Sequence, residues 1–198
     1  MSMEIPYAVK VRTDTGMNNA RLGLWLFLGS ETMLFGGLIS AYVFLRMGSA
    51  SEQFVHDLSE IPLAGINTLI LLASSVAITL SVWSLRDRVF NRHRILMGIA
   101  VAAGLLFLGL KWLDYSEKFG RGLYPATSTY LAIFFTLTGV HALHVIGGIL
   151  VNSYLLVTGR KLFREDPERL LSRASASALY WNFVDAVWIV LFLLLYVV

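Results

Sequence analysis

Residues 22–45 read LGLWLFLGSETMLFGGLISAYVFL, and Glu31 is the only charged residue in this run. A helix of about 20 apolar residues is long enough to cross the ~30 Å hydrocarbon core of a bilayer. The stretch therefore predicts a transmembrane helix that carries one carboxylate near its middle, at a depth where water is scarce.

Four further apolar runs follow, at 63–85, 95–113, 128–158 and 176–198. Charged residues make up 15% of the 198 positions, against about 25% in soluble domains. In hydrocarbon every backbone group must be bonded within the chain, so each run is predicted to be helical. We expect an all-α polytopic membrane protein with a polar segment at 1–21 and one five-helix domain at 22–198. No cleavable signal peptide is expected, because residues 1–20 contain no apolar core.

Basic residues indicate the orientation, because Lys and Arg concentrate in cytoplasmic loops. One side would carry twelve of the sixteen: Lys10, Arg12, Arg21, Arg86, Arg88, Arg92, Arg94, Arg160, Lys161, Arg164, Arg169 and Arg173. The other side would carry Arg46, Lys111, Lys118 and Arg121. The split predicts a cytoplasmic N-terminus and a periplasmic C-terminus. Since these residues belong to membrane-flanking loops, the net charge of +3 indicates no nucleic-acid partner.

The segments between the apolar runs give further expectations. His56 and His93 fall in predicted loops on opposite sides, and residues 165–168 predict a turn followed by a short polar helix. Four tryptophans lie near predicted helix ends, where the headgroup layer suits an amphipathic ring. They are Trp25, Trp83, Trp112 and Trp181.

Four ionisable residues fall near the middle of the predicted spans: Glu31, His141, His144 and Asp185. Such residues are costly in hydrocarbon and are functional candidates by default. Glu31 and Asp185 each lie about 14 Å into their helices at 1.5 Å per residue, and the histidines fall near the middle of the fourth. We expect the four to meet in one layer, where a carboxylate stays protonated or pairs with a histidine.

Small and weakly polar residues form further stripes at helical spacing, which we interpret as packing faces. They are Asn67, Ser74 and Ser81 in the second helix, Gly98, Ala102 and Gly109 in the third, and Thr138, His141, His144, Gly148 and Asn152 in the fourth. In the fifth, Trp181, Asp185 and Trp188 share a face, with Asn182 one turn from Asp185.

The sequence does not favour a metal, haem or catalytic site. Histidines three apart on one helix cannot ligate opposite faces of a haem. A dinuclear carboxylate centre would need Glu-x-x-His pairs on two helices, and the sequence has none. No cysteine is present, which excludes thiolate ligands. We expect a chain with no catalytic centre of its own.

Five stretches, in order, resemble subunit III of the haem-copper oxidases. They are RLGLWLFLGSETMLFGGLISAYVFLR (21–46), INTLILLASSVAITL (66–80), GLKWLDYSEK (109–118), TLTGVHALHVIGG (136–148) and YWNFVDAVWIVLFLLLY (180–196). The chain departs from the family pattern at Asn182, where His is usual, and at Asp114, where Glu is usual. Longer members have two helices before the first one here, so the resemblance is to the five-helix bacterial form.

The resemblance implies a non-catalytic subunit of an oxygen-reducing proton pump in a bacterial cytoplasmic membrane. Haems and coppers would belong to subunits I and II, and a small subunit IV is a further candidate partner. The family role implies bound phospholipid and support for sustained proton uptake by subunit I. Arg21, at the start of the first helix, is a candidate headgroup contact.

Alternatives remain open. They are subunit III of a quinol oxidase and the accessory subunit of a nitric oxide reductase. A proton-coupled transporter using Glu31, His141, His144 and Asp185 is a third; it predicts broken helices and an internal repeat, and neither is visible in the sequence.

Overall fold

A computed structural model describes residue 16 and residues 18–48 and 61–197. The described residues form α1 (Asn19–Gly48), α2 (Ile61–Arg86), α3 (Phe90–Gly120), α4 (Thr129–Glu165), α5 (Pro167–Phe192) and a π-helical turn at Leu193–Val197, the C-terminal turn. Five of these helices are long and apolar enough to cross a membrane, and the described part contains no strand. The chain is therefore an all-α multi-pass membrane protein.

The helices extend beyond the apolar runs, so two of the predicted loops are much shorter than expected. Only residues 87–89 separate α2 from α3, and Asp166 alone separates α4 from α5. The Asp166 carboxylate accepts a hydrogen bond from Arg169 N at 3.0 Å, and Pro167 occupies the first turn of α5. Both features are typical of a helix start. The turn at 165–168 is confirmed, but the polar helix after it is the beginning of α5.

The placement of His93 in a loop was wrong. His93 lies in the first turn of α3 and is 1% exposed. Its Nδ1 lies 2.7 Å from Ser81 Oγ and 3.2 Å from Ser81 O of α2. The stretch RDRVFNRHR (86–94) is too polar to be recognised as part of a membrane-spanning run. For this reason His93 was placed in a loop, although α3 already begins at Phe90. His56 lies outside the described residues.

Helices α2 to α5 form the centre of the bundle, and α1 lies at its edge. The most extensive packing is between α2 and α3, followed by α4 with α5 and α2 with α5. Helix α1 contacts chiefly α4 and α5. The positions of Glu31 on α1 and His144 on α4 are therefore set by this peripheral contact.

The core is organised around Trp181, which the sequence placed near a membrane surface. The predicted helix end was wrong, because α5 already begins at Pro167. Trp181 is 2% exposed, and its ring lies between Gly104 of α3 and Gly148 of α4. A bulky ring at the crossing of three helices requires small neighbours. Trp25, Trp83 and Trp112 are each more than half exposed.

The predicted small-residue face of α3 makes no contact through its glycines within the described part of this chain. A Cβ atom on Gly98 or Gly109 would meet nothing within 4 Å, whereas one on Gly104 would lie 2.8 Å from the Trp181 ring. Spacing alone identifies two small-residue faces on α3, and only the partner ring decides which of them is packed inside this chain.

Candidate functional site

Glu31 and His144 form a hydrogen-bonded pair between α1 and α4. Glu31 Oε2 lies 2.8 Å from His144 Nε2, and the two side chains are 13% and 15% exposed. The expectation that Glu31 pairs with a histidine of the fourth helix is confirmed for His144. The hydroxyl groups of Ser30 and Thr32, on either side of Glu31 in the sequence, donate instead to backbone carbonyls of α1.

The proton inventory of this pair follows from its second hydrogen bond. His144 Nδ1 lies 2.8 Å from Val140 O, and a carbonyl oxygen only accepts, so Nδ1 carries a proton. One further proton is shared in the contact between Nε2 and Oε2. Whether that proton resides on the imidazole or on the carboxyl group, the pair as a whole has no net charge. This explains how a glutamate is accommodated at membrane depth.

Aromatic groups enclose the pair and connect it to α5. The ring of Phe35 stands edge-on to the His144 imidazole, with centroids 5.2 Å apart. Tyr180 Oη donates to His144 O at 2.9 Å, and the Tyr180 ring lies 6.1 Å from that of Phe27. The pair therefore lies where α1, α4 and α5 meet.

The other two candidates, His141 and Asp185, are not joined to this pair by any hydrogen bond among the described residues. His141 is fully buried, and neither ring nitrogen has a hydrogen-bond partner in the described part of the chain. Its ring contacts Phe107 and Trp188, with centroids at 5.7 and 5.0 Å. Asp185 is 4% exposed, and its Oδ1 likewise has no partner there. The four residues were expected to meet in one layer. Among the described residues, Glu31 and His144 form a hydrogen-bonded pair, and His141 and Asp185 are not bonded to it.

Two tryptophans of α5 bond to hydroxyl groups of α2. Trp181 Nε1 donates to Ser74 Oγ at 2.9 Å, and Trp188 Nε1 donates to Thr68 Oγ1 at 3.0 Å. Buried indole N–H groups need such partners. These two hydroxyl groups of α2, of which Ser74 belongs to the predicted stripe, therefore fix α5. Helix α5 also carries Tyr180, which bonds to His144 O.

A buried ion cluster that was not predicted from the sequence lies at the C-terminal end of α3. Lys111 Nζ lies 2.8 Å from Asp114 Oδ2, and Lys118 Nζ lies 2.9 Å from Asp114 Oδ1. All three residues are less than 10% exposed, and Lys111 also donates to Tyr196 Oη of the C-terminal turn at 2.6 Å. The spacings of three and four along one helix were the available signal. Both lysines had instead been assigned to the outer surface by the charge count.

A cavity of about 430 Å³ opens between α1, α2 and α5. Its lining includes Arg21 and Trp25 of α1, Trp83 and Arg86 of α2, and Asn182 of α5. Cationic and indole groups together are typical of the membrane interface, where they contact phosphate headgroups. Arg21 is thus placed beside a second arginine that the sequence did not single out.

No group of three or more His, Cys, Asp or Glu side chains that could hold a metal ion occurs in the residues described by the structure. The Glu31–His144 pair supplies only two such groups. The arrangement can share or hold a proton, but these residues offer no ligand shell for a metal.

Known proteins resemble this chain along most of its length. Residues 6–198 match the model of the family described as "Cytochrome c oxidase subunit III". The chain is 32% identical to cytochrome c oxidase subunit 3 of Bacillus sp. (strain PS3), over 90% of this chain and 85% of that protein. It is 32% identical to a probable quinol oxidase subunit 3 of Staphylococcus haemolyticus, over 96% and 94%. It is also 33% identical to a haem-copper oxidase subunit I+III of Aeropyrum pernix, over 90% of this chain and 22% of that protein.

Proposed function

Since the chain belongs to the cytochrome c oxidase subunit III family, we propose that it is the non-catalytic subunit III of a terminal oxidase that reduces oxygen with electrons from cytochrome c. The observation that carries the proposal is the family match along residues 6–198, which includes all five helices. A subunit III of a haem-copper oxidase works in a complex with other oxidase subunits.

The finer assignments are part of the proposal. Subunits I and II would hold the haems and coppers, and a small subunit IV would complete the complex. The Aeropyrum relative supports contact with subunit I, because its name joins subunits I and III in one chain. Residues 22–198 would act as one membrane domain after a polar segment at 1–21. The complex would lie in a bacterial cytoplasmic membrane, with the N-terminus of this chain inside.

The electron donor has a second candidate. Relatives named as quinol oxidase subunits match at 30–32% identity, close to the 32–36% of those named as cytochrome c oxidase subunits, and over at least as much of the chain. A quinol oxidase is therefore the alternative complex. Both readings give this chain the same work, because the donor would react at other subunits.

That work is to support subunit I in sustained proton uptake and to stabilise it. Within this chain the Glu31–His144 pair is proposed to act as a polar clasp between α1 and α4. The pair forms a hydrogen bond without net charge between two side chains that are mostly buried. A second candidate role, supported by the shared proton, is a group whose protonation tunes proton uptake by subunit I.

Phospholipid is proposed as a bound component. The cavity lined by Arg21 and Arg86, with Trp25 and Trp83 at its rim, supports this, because two cations from different helices suit one phosphate group. The acyl chains would lie along the exposed apolar side chains of α1, among them Leu26 and Met33.

Purification of the chain from its native membrane in mild detergent tests the assignment. We expect it to travel with a haem-containing subunit I, and reduced-minus-oxidised spectra of the complex to identify the haems. Oxidation of cytochrome c or of quinol by that complex separates the two donors. Recovery of a homogeneous chain without any haem protein, under conditions that keep other respiratory complexes intact, would contradict the proposal.

A further inference from the structure

The buried ion cluster borders a small polar cavity. The cavity lies between α2, α3 and the C-terminal turn and is lined by Leu63, Ala64, Asn67, Leu110, Lys111, Asp114 and Tyr196. It offers about 10 Å³ to the centre of a water-sized sphere. That is close to the lower limit of ~10–15 Å³ for one water molecule, so the space fits a single small ligand.

Asn67 supplies the polar atom that needs such a ligand. The residue is 3% exposed, and its Oδ1 has no hydrogen-bond partner among the described residues. Its Nδ2 donates to Phe107 O at 3.5 Å, which fixes the amide orientation, because two facing oxygens would repel. Leaving a buried acceptor unpaired costs about 1–3 kcal/mol. A hydrogen-bond donor bound in the cavity would pair with Asn67 Oδ1 and remove this cost.

The charges around the cavity select the kind of ligand. Two positive charges repel a cation here. Lys111 lines the cavity and bonds to one carboxylate oxygen of Asp114, and Lys118 bonds to the other oxygen. An anion is disfavoured by the Asp114 carboxylate and by Asn67 Oδ1. A neutral molecule with two donors remains, and only water has that chemistry within the available volume.

We propose that this cavity is a binding site for one ordered water molecule that bridges α2 to the ion cluster of α3. The water donates one proton to Asn67 Oδ1 and the other to a carboxylate oxygen of Asp114, which accepts more than one bond. Two such partners meet the usual requirement of a buried water. The proposal does not rest on the oxidase assignment, because every residue involved belongs to this chain.

The bridge ties together three elements at one end of the bundle. Asn67 belongs to α2, Asp114 to α3, and Tyr196 to the C-terminal turn, which Lys111 already holds through its 2.6 Å bond. A buried water of this kind is part of the structure and is costly to remove. It also makes Tyr196 the neighbour of a water molecule, although the side chain is only 5% exposed.

X-ray hydroxyl-radical labelling of the protein, purified with the subunits that accompany it, tests the site. Radicals form from bound water as well as from bulk water, so a buried residue beside a bound water is labelled. Tyr42 is the internal reference, since it is also buried and does not line this cavity; its hydroxyl accepts from Arg46 and donates to Leu194 O. We expect several-fold more label on Tyr196 than on Tyr42. Equal labelling of the two tyrosines overturns the proposal.

Two variants give the matched comparison. Asn67→Leu removes the acceptor and fills the space, and Ala64→Val fills the same cavity without touching its polar partners. Each is expected to lower the labelling of Tyr196 to the level of Tyr42. The control, Leu69→Ala, changes a side chain on α2 that is 65% exposed and should leave the labelling unchanged. A folded Asn67→Leu protein with wild-type labelling at Tyr196 overturns the proposal. If neither variant folds, the wild-type comparison of the two tyrosines decides alone.

Discussion

Gly148 of α4 lies directly against the indole ring of Trp181 of α5, and a Cβ atom built on Gly148 would approach the ring to 2.7 Å. Real Cβ contacts are not this short, so any larger residue at position 148 requires a shift of the ring or of the helix. The ring has little freedom, because Gly104 borders it on the side of α3 and Ser74 Oγ accepts from its Nε1.

We therefore predict that Gly148→Ala destabilises the bundle by about 1–3 kcal/mol, the usual cost of overpacking a well-packed core. The neighbouring Gly147→Ala is the control. Its Cβ would lie 3.6 Å from Tyr180 Oη, an ordinary contact, and alanine favours the helix. Thermal unfolding of both variants in the same detergent measures the difference. Equal midpoints for the two would contradict the packing described for Trp181.

The sequence predicted the apolar centres of the helices because hydrocarbon imposes one requirement on every residue there. It predicted neither the helix ends nor the packed faces. Helical hydrogen bonding continues through the charged residues beyond the apolar window, which is why His93 was placed in a loop. The environment of Trp181 depends on Gly104 and Gly148, which come together only in the bundle.

The candidate site was predicted to a similar extent. A histidine partner for Glu31 followed from depth and from the need to neutralise a carboxylate. That His144 is the partner, and that His141 contacts aromatic rings instead, depends on the rotation of α4 against α1. The spacing of residues along one helix does not reveal how that helix is rotated against its neighbour. The roles of these residues stay predictions.

The two arginines of the cavity between α1, α2 and α5 give a prediction about lipid. Replacing Arg21 and Arg86 by alanine should lower the phospholipid retained by the purified complex, since each arginine near an anionic surface contributes about 1 kcal/mol. Mass spectrometry of the extracted lipid measures this. Arg92→Ala changes an exposed cation on α3 outside this cavity and is the control. Delipidated wild-type complex that keeps the stability of its turnover would count against a functional lipid.

Single cysteines test the orientation, because the chain has none of its own. Asn91→Cys, in the exposed first turn of α3, should resist a membrane-impermeant maleimide added to intact cells, since the basic residues place this end inside. Ala126→Cys, exposed between α3 and α4, should be labelled from outside under the same conditions. Labelling of Asn91→Cys alone would reverse the predicted topology.

The accessory role predicts the spectrum of the isolated chain. Among the described residues no set of three candidate ligands converges, so the chain separated from its partners should absorb only in the ultraviolet. The separated haem-containing subunit is the positive control. A stoichiometric haem band that remains with this chain after complete separation would sink the accessory-subunit assignment.

The last prediction concerns Glu31. If the pair is a clasp, Glu31→Gln should assemble and turn over normally across pH, because the Gln amide N–H donates to His144 Nε2 while Nδ1–H keeps its bond to Val140 O. Glu31→Ala leaves His144 Nε2 without a partner and should cost about 1–3 kcal/mol. Thr32→Ala is the control, since Thr32 Oγ1 donates to Leu28 O of its own helix. Glutamine cannot ionise, so normal assembly with a shifted pH dependence of turnover would favour the proton-responsive role. A Glu31→Gln protein that fails to assemble while Glu31→Ala is no worse would contradict both roles, because the variant that keeps the hydrogen bond would then offer no advantage.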